Sequence, residues 1–424
     1  MPPLRLCTPA LRTLTRAPAA RRGYHSANAP TKPPRHLLSI ADLTPEELTT
    51  LVRNALSYKR SIKGGSVPNS IRGALDGKTI AMTFSKRSTR TRISTEGAVV
   101  KMGGHPMFLG KEDIQLGVNE SLYDTAVVMS SMVAGIFARV GPHSDVATLA
   151  KHSSVPVINA LSDLYHPLQT IADFVTISEN FLYAPHSDSL DSAGLKLAWI
   201  GDANNVLFDL AIGAAKLGVD LAVATPKGYE IPSSIRDQIA EAAAGPGSGG
   251  GRLIETTSPS EAVAGANVLV TDTWVSMGQE AEAQKKMADF AGFQITEAMG
   301  REGGAKDNWK FMHCLPRHAE EVADEVFYGP RSLVFPEAEN RLWAAISAIQ
   351  AFIVNQGDIQ VPLEISKHMI GHVEGQLPDT RRGQAMKRNM SKPPSRFSPK
   401  RELALQTEER AQEWFFNESK SRWS

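Results

Sequence analysis

Between residues 37 and 355, short apolar runs alternate with stretches in which apolar residues recur every three or four positions. Runs at residues 78–84 (KTIAMTF), 135–140 and 155–160 predict strands, and a further short apolar run occupies 105–109. Helical patterns fall between them at 91–102, 121–132 and 145–153, the first stopping at Gly103-Gly104, as a helix C-terminus does. A long helical pattern at 168–180 and a polar stretch at 183–194 separate this series from a second one. Its strands are predicted at 195–200, 220–224, 253–256, 267–271 and 309–314. Repeated strand–helix units of this length predict an α/β protein with parallel sheets covered by helices. Residues 337–355 predict one last helix, and 245–251 (GPGSGGG) a flexible surface loop without chemistry.

The two ends have another character. Arg5, Arg12, Arg16, Arg21, Arg22, Lys32 and Arg35 precede the first acidic residue, Asp42. An arginine-rich, acid-free leader reads as a mitochondrial transit peptide, with cleavage near Arg22-Gly23-Tyr24; the alternative is a disordered arm. Residues 367–401 are basic and poor in large apolar side chains, which predicts disorder, and 402–416 would form a short amphipathic helix.

Composition narrows the class. With 42% hydrophobic and 21% charged residues, the 424-residue chain fits a soluble globular enzyme of more than one domain. A net charge of +1 gives no global basic field, so no nucleic-acid partner is expected. No apolar run approaches a bilayer span, so no membrane partner is expected either. Two distant cysteines, Cys7 and Cys314, exclude a disulfide scaffold, and no cluster has zinc spacing, so no metal is expected.

Four motifs carry candidate chemistry. Ser88-Thr89-Arg90-Thr91-Arg92 lies between a predicted strand and helix. Free N–H groups at a helix start, hydroxyls and a guanidinium fork suit a phosphate, although a plain hydroxyl N-cap explains the same residues. The segment is neither a Walker loop nor a dinucleotide fingerprint. Asn204-Asn205, after the strand at 195–200, suggests a polar ligand in the crevice of an open sheet. In His166-Pro167-Leu168-Gln169 the proline fits a first helical turn, so His166 stands at a helix entry, as a carbonyl donor or in a structural hydrogen bond. Asp272, opening DTWVSMGQE after a strand, would face the crevice and attract an ammonium group. Cys314, in HCLPRH at another strand end, reads as a buried small hydrophobe or a polarisable contact in a site.

Taken together, Ser88–Arg92 with His166–Gln169 resemble the carbamoyl-phosphate half of the aspartate/ornithine carbamoyltransferase superfamily. Ser276-Met277-Gly278 within 272–280, and His313–Pro316, resemble its ornithine branch. The resemblance covers residues 37–355 and implies two doubly wound parallel-sheet domains facing a central cleft. These would be a carbamoyl-phosphate domain at 37–180 and an ornithine domain at 181–340, with a helix at 341–360 returning to the first domain. Residues 1–36 would be the transit peptide and arm. The extension at 361–424 departs from the family pattern.

By this resemblance carbamoyl phosphate is held by Ser88, Thr89, Arg90, Thr91, Arg139, His166 and Gln169, with Gln115 reaching in from a neighbouring subunit of a homotrimer. L-ornithine meets Asn205, Asp272, Ser276 and Met277, and Cys314 and Arg341 complete the reacting centre. Arg139, His166, Asp272, Cys314 and Arg341 are the expected catalytic group, and no cofactor is implied. Either an Asp272–Cys314 relay or the departing phosphate would take the amine proton. The alternatives are a carbamoyltransferase for aspartate or another amine, or an inactive regulatory paralogue.

Overall fold

A computed structural model describes residues 33–111, 120–181, 194–275 and 283–362. The leader up to residue 32, Gln115, residues 182–193 with all but the last position of the polar stretch, Ser276, Met277 and residues 363–424, with their expected tail helix, lie outside the described residues.

The chain opens with helix α1 (Pro45–Lys63), followed by strand β1 (Thr79–Phe84), α2 (Thr89–Lys101), β2 (His105–Gly110), α3 (Leu122–Ser130), β3 (Gly135–Arg139), α4 (His143–His152) and β4 (Val157–Leu161). Thr44 and Glu47 start α1 through a reciprocal capping box, with Pro45 in the first turn where its missing N–H costs nothing. The four strands form a parallel sheet in the order β2-β1-β3-β4. β3 is buried at every position, which is why it reads as a continuous apolar run, up to the Arg139 that ends it, rather than an alternating one.

Helix α5 (Pro167–Phe181) leads to the second series. This comprises β5 (Lys196–Ile200), α6 (Asn205–Leu217), β6 (Asp220–Ala224), α7 (Ser233–Ala244), β7 (Leu253–Thr256), α8 (Pro259–Val263), β8 (Val268–Thr271), α9 (Ala283–Asp289), α10 (Glu297–Glu302), β9 (Lys310–His313) and α11 (Asp324–Phe327). The second sheet is also parallel, in the order β7-β6-β5-β8-β9. Chain order reverses at β5, where connections leave toward β6 on one side and β8 on the other. A ligand crevice is expected at such a point.

The last helix, α12 (Val334–Ala348), starts three residues before the predicted point and tolerates Pro336 in its first turn; residues 349–354 continue it as a π-helical stretch. It packs on α5, α2 and α1 and touches β9. Helices α5 and α6 are buried on nearly every face because each is enclosed by neighbours. Their close approach depends on Gly213: a Cβ there would lie 2.8 Å from the Phe174 ring. The glycine-rich segment at 245–251 is a largely exposed loop, as expected, and it is anchored at two points. Gly249 and Gly251 donate backbone hydrogen bonds to Lys216 and Ala215 at the end of α6.

Candidate active site

A cleft of about 970 Å³ opens between the C-terminal ends of the two sheets. Ser88, Thr89, Arg90, Thr91, Arg139, His166, Gln169, Asn205, Asp272, Cys314 and Arg341 all line it, although they are spread over some 250 positions of the chain.

One wall is cationic. Ser88 caps α2, its Oγ accepting the Thr91 N–H at 3.2 Å, so the other first-turn N–H groups face the cleft. Arg139 ends β3 and is buried; Arg341 comes from α12 and is buried as well. Arg341 donates to Gln169 Oε1 at 2.6 Å and to Thr91 Oγ1 at 3.2 Å. Burial lowers the Arg139 pKa to about 10, helped by repulsion from Arg341 and Arg90. Arg341 is likewise lowered to about 10, by burial and then by Arg90, against the pull of Cys314, Asp173 and Glu337. Three guanidinium groups that repel one another, two with a buried Nε that makes no hydrogen bond, form a site built for a multiply charged anion.

His166 is the residue before α5 and is 3% exposed. Burial pushes its imidazole well below the usual range, and Arg341, Arg139 and Arg90 push further in the same direction. The ring is therefore neutral at pH 7, and its buried Nδ1 makes no hydrogen bond. Its backbone N–H donates to Asp209 Oδ2 at 2.8 Å, while the other Asp209 oxygen accepts from Ser39 Oγ at 2.7 Å and Ile40 N at 2.9 Å. A buried carboxylate thus pins the helix entry to α6 and to the chain before α1.

Burial raises Asp209 to about 7 despite those three bonds. The folded state therefore holds a proton on Asp209 that the unfolded chain releases near pH 4, so this group's contribution to stability falls as pH rises from about 4 to about 7. Asp209→Asn has no such dependence. Melting temperatures across that window should rise for the variant relative to wild type as pH increases. A constant difference would contradict the assignment.

The opposite wall carries the acid and the thiol. Asp272 follows β8, and its two oxygens accept from Asn204 Nδ2 at 2.8 Å and Cys314 Sγ at 3.0 Å. Burial, with the charge and hydrogen bond of Asp272, drives the Cys314 thiol well above its ordinary range, so it is a donor and not a thiolate. Asn204 also caps α6, its Oδ1 accepting from Val206 and Leu207. Asn205, singled out in the sequence, lines the cleft, and its Nδ2 donates to the carbonyl of Ser162 in the first lobe at 2.5 Å. Arg90 bridges the lobes too, donating to the carbonyl of Leu315. Lys286 on α9 pairs with Asp202 at 2.6 Å and donates to the Trp274 carbonyl at 2.8 Å, tying down the strand end that bears Asp272.

Asp272, His313 and Cys314 bring ligand atoms within 4.8 Å of one another. Both His313 ring nitrogens are engaged, Nδ1 accepting from Leu315 N at 2.9 Å and Nε2 bonding Glu321 at 3.0 Å. The trio does not fit a metal without breaking one of those bonds.

The geometry also brings in residues that no motif pointed to. Asp209, Asp173 and Glu337 all bond to site residues, as does Asn204 of the Asn204-Asn205 pair. Asp173 and Glu337 had a sequence signal: each is an acid four positions from a named site residue, Gln169 or Arg341, within an apolar helical pattern.

Comparison with known proteins agrees with this layout. Residues 35–179 match the family model described as the aspartate/ornithine carbamoyltransferase carbamoyl-P binding domain. Residues 193–352 match the Asp/Orn binding domain of the same family. A mitochondrial ornithine carbamoyltransferase of Aspergillus niger is 69% identical over 361 residues, covering 83% of this chain and 97% of that protein. The Schizosaccharomyces pombe protein of the same description is 52% identical over 334 residues, covering 78% and 97%. Among solved structures, a mitochondrial ornithine carbamoyltransferase from Coccidioides immitis matches at 66% identity with a TM-score of 0.71, covering 77% of this chain and 100% of that one. The ornithine carbamoyltransferase of Pyrococcus furiosus matches at 42% identity with a TM-score of 0.69, covering 76% and 98%.

Proposed function

The chain belongs to the aspartate/ornithine carbamoyltransferase family, and from that premise we propose that it transfers the carbamoyl group of carbamoyl phosphate to the side-chain amine of L-ornithine, giving L-citrulline and phosphate. The observation that carries the reading is the facing of two unlike walls. Three mutually repelling guanidinium groups beside a capped helix start lie opposite a carboxylate–thiol pair in one cleft. A dianion suits the first wall and an ammonium or amine the second.

The first lobe, residues 37–180, takes carbamoyl phosphate and the second, 181–340, takes ornithine, with 341–360 returning Arg341 to the first. Phosphate oxygens lie on the α2 N-terminus with Ser88, Thr89, Arg90 and Thr91. The carbamoyl oxygen faces Arg139 and His166, which stabilise the charge it gains as the amine nitrogen attacks the carbamoyl carbon. A neutral imidazole does this as a hydrogen-bond donor. The new C–N bond forms, the C–O bond to phosphate breaks, and the phosphate departs with its electron pair. The amine nitrogen must shed its protons. Since Cys314 already holds one, the proton acceptor is the Asp272 carboxylate or the departing phosphate. The reaction balances without a cofactor. Arg90 and Asn205, each bonded to the other lobe, help draw the cleft shut and exclude water from carbamoyl phosphate.

Gln115, Ser276 and Met277 are assigned by family resemblance alone, the first from a neighbouring subunit of a homotrimer. Self-association is supported by large apolar side chains left exposed in the first lobe, including Ile93 and Val100 on α2, Tyr123 on α3 and Met132 beyond it. Aspartate is disfavoured as acceptor, because its side chain has the same charge as Asp272. A panel of ornithine, aspartate, putrescine and acylated ornithine, with ornithine by far the best acceptor, is the expected result; preference for any other amine would replace the reading.

The product supports a role in arginine biosynthesis, and the arginine-rich, acid-free leader supports import into the mitochondrial matrix. A reporter fused to Met1–Tyr24 should enter mitochondria because seven cations precede the first acid in the chain, five of them within this segment. A uniformly cytosolic reporter would reject the targeting role.

A further inference from the structure

Two carboxyl groups lie behind the cationic wall, and the chemistry above uses neither. Asp173 on α5 and Glu337 on α12 are each 2% exposed. Gln169 Nε2 donates to both, at 2.8 Å to Asp173 Oδ1 and 2.9 Å to Glu337 Oε1. The second Glu337 oxygen accepts the backbone N–H of His313, next to Cys314, at 2.9 Å. The two carboxyl groups are also within hydrogen-bonding reach of each other. Two ionised carboxylates cannot hydrogen-bond; one must carry a proton. Nor can two charges this deeply buried both persist beside Arg341, whose guanidinium is directed at Gln169 and Thr91.

We propose that Asp173 and Glu337 form a positioning pair that shares one proton, and that it fixes Gln169 and Arg341 on the carbamoyl-phosphate side and the His313–Cys314 turn on the amine side. The pair lies where α5, α12 and the end of β9 meet, so one buried joint orients groups on both walls. Burial raises Asp173 to about 7, and burial with the nearness of Asp173 raises Glu337 well above its ordinary range, so a proton is held between them. Arg341 lies one helical turn after Glu337, and Gln169 one turn before Asp173. The side chain of Gln169 is thereby held with its oxygen toward Arg341 and its nitrogen toward the acids. Without the acids the amide is free to flip, and Arg341 then faces a donor instead of an acceptor.

The inference deepens the reading above and rests on it only for carbamoyl phosphate. Its geometry makes an asymmetric prediction. In Asp173→Asn the amide oxygen still accepts from Gln169, and the amide nitrogen donates to an ionised Glu337, so every bond and the single negative charge survive. In Glu337→Gln one of the two donors that faced a carboxyl oxygen, Gln169 Nε2 or His313 N–H, now meets an NH₂ group. Calorimetric titration of the full chain with carbamoyl phosphate alone should give an affinity within about threefold of wild type for Asp173→Asn. Glu337→Gln and Asp173→Ala should each lose about tenfold or more. In turnover the loss should fall on KM for carbamoyl phosphate and on kcat together in Asp173→Ala, with rescue in Asp173→Asn.

An infrared difference spectrum of wild type against Asp173→Asn should show the carbonyl stretch of a protonated acid in wild type only. Asp173→Asn as damaging as Asp173→Ala, unchanged binding in Glu337→Gln, or no protonated-acid band would each overturn the pair. Wild-type protein that binds carbamoyl phosphate but makes no citrulline would overturn the ornithine reading instead, and the binding comparison would still decide the pair.

Discussion

Asparagine in place of Asp272 should remove most citrulline formation while leaving carbamoyl phosphate binding nearly unchanged. The side chain keeps its size and loses its charge. Both carboxylate oxygens are engaged by side chains, Asn204 on one and Cys314 on the other. Among the described residues no backbone N–H donates to it, so it is not a turn cap of the kind aspartate often forms. Its charge instead faces the space where an amine would enter, and Coulomb attraction there grows as closure excludes water. An amide oxygen can keep one of the two partners but cannot attract an ammonium group or take a proton. The loss in kcat/KM for ornithine should be about a hundredfold, or ~2.7 kcal/mol of transition-state stabilisation. Steady-state kinetics with melting temperature on the same preparation decide the matter. Near-wild-type turnover at low ornithine, with only a lowered melting temperature, would assign Asp272 a structural role.

Alanine in place of Arg90 should fail on the other wall. Arg90 stands in the first turn of α2, where the helix start already favours an anion. Loss of its charge-assisted bonds should weaken carbamoyl phosphate binding by about 1.5–3 kcal/mol, roughly 10- to 150-fold. The residue is only half buried, so the fold should survive. Arg90 also donates to the Leu315 carbonyl across the cleft, which makes a second readout available. Closure on binding should weaken together with affinity, measurable as a reduced change in scattering radius on adding carbamoyl phosphate. An unaltered calorimetric affinity would remove Arg90 from the phosphate site.

The sheets were readable because the strands carry short runs of mostly apolar residues, nearly continuous in the buried central strands. The runs at 220–224 and 253–256 coincide with β6 and β7, and the others differ from the observed strands by a residue or two. The Ser88 cap was readable for a similar reason: hydroxyl, helix start and guanidinium are local in sequence. The joints of the site are not local. Arg341 reaches Gln169 across 172 positions and Thr91 across 250, and nothing in the periodicity of α12 points to either. Asn204 and Asn205 are identical neighbours, and only helix phase decides that the first reaches Asp272 while the second crosses to Ser162. The segment at 245–251 is the surface loop its glycines signal, but glycine content does not show that two of its backbone N–H groups dock on the end of α6.

The central claim is that this cleft joins a carbamoyl group to ornithine. The direct measurement follows citrulline and inorganic phosphate together as purified chain acts on carbamoyl phosphate and L-ornithine. The account predicts that both appear at equal rates, that neither appears without ornithine beyond the slow background of carbamoyl phosphate decay, and that no added cofactor is needed. Phosphate release without citrulline, or no reaction from folded protein that binds carbamoyl phosphate, would contradict it.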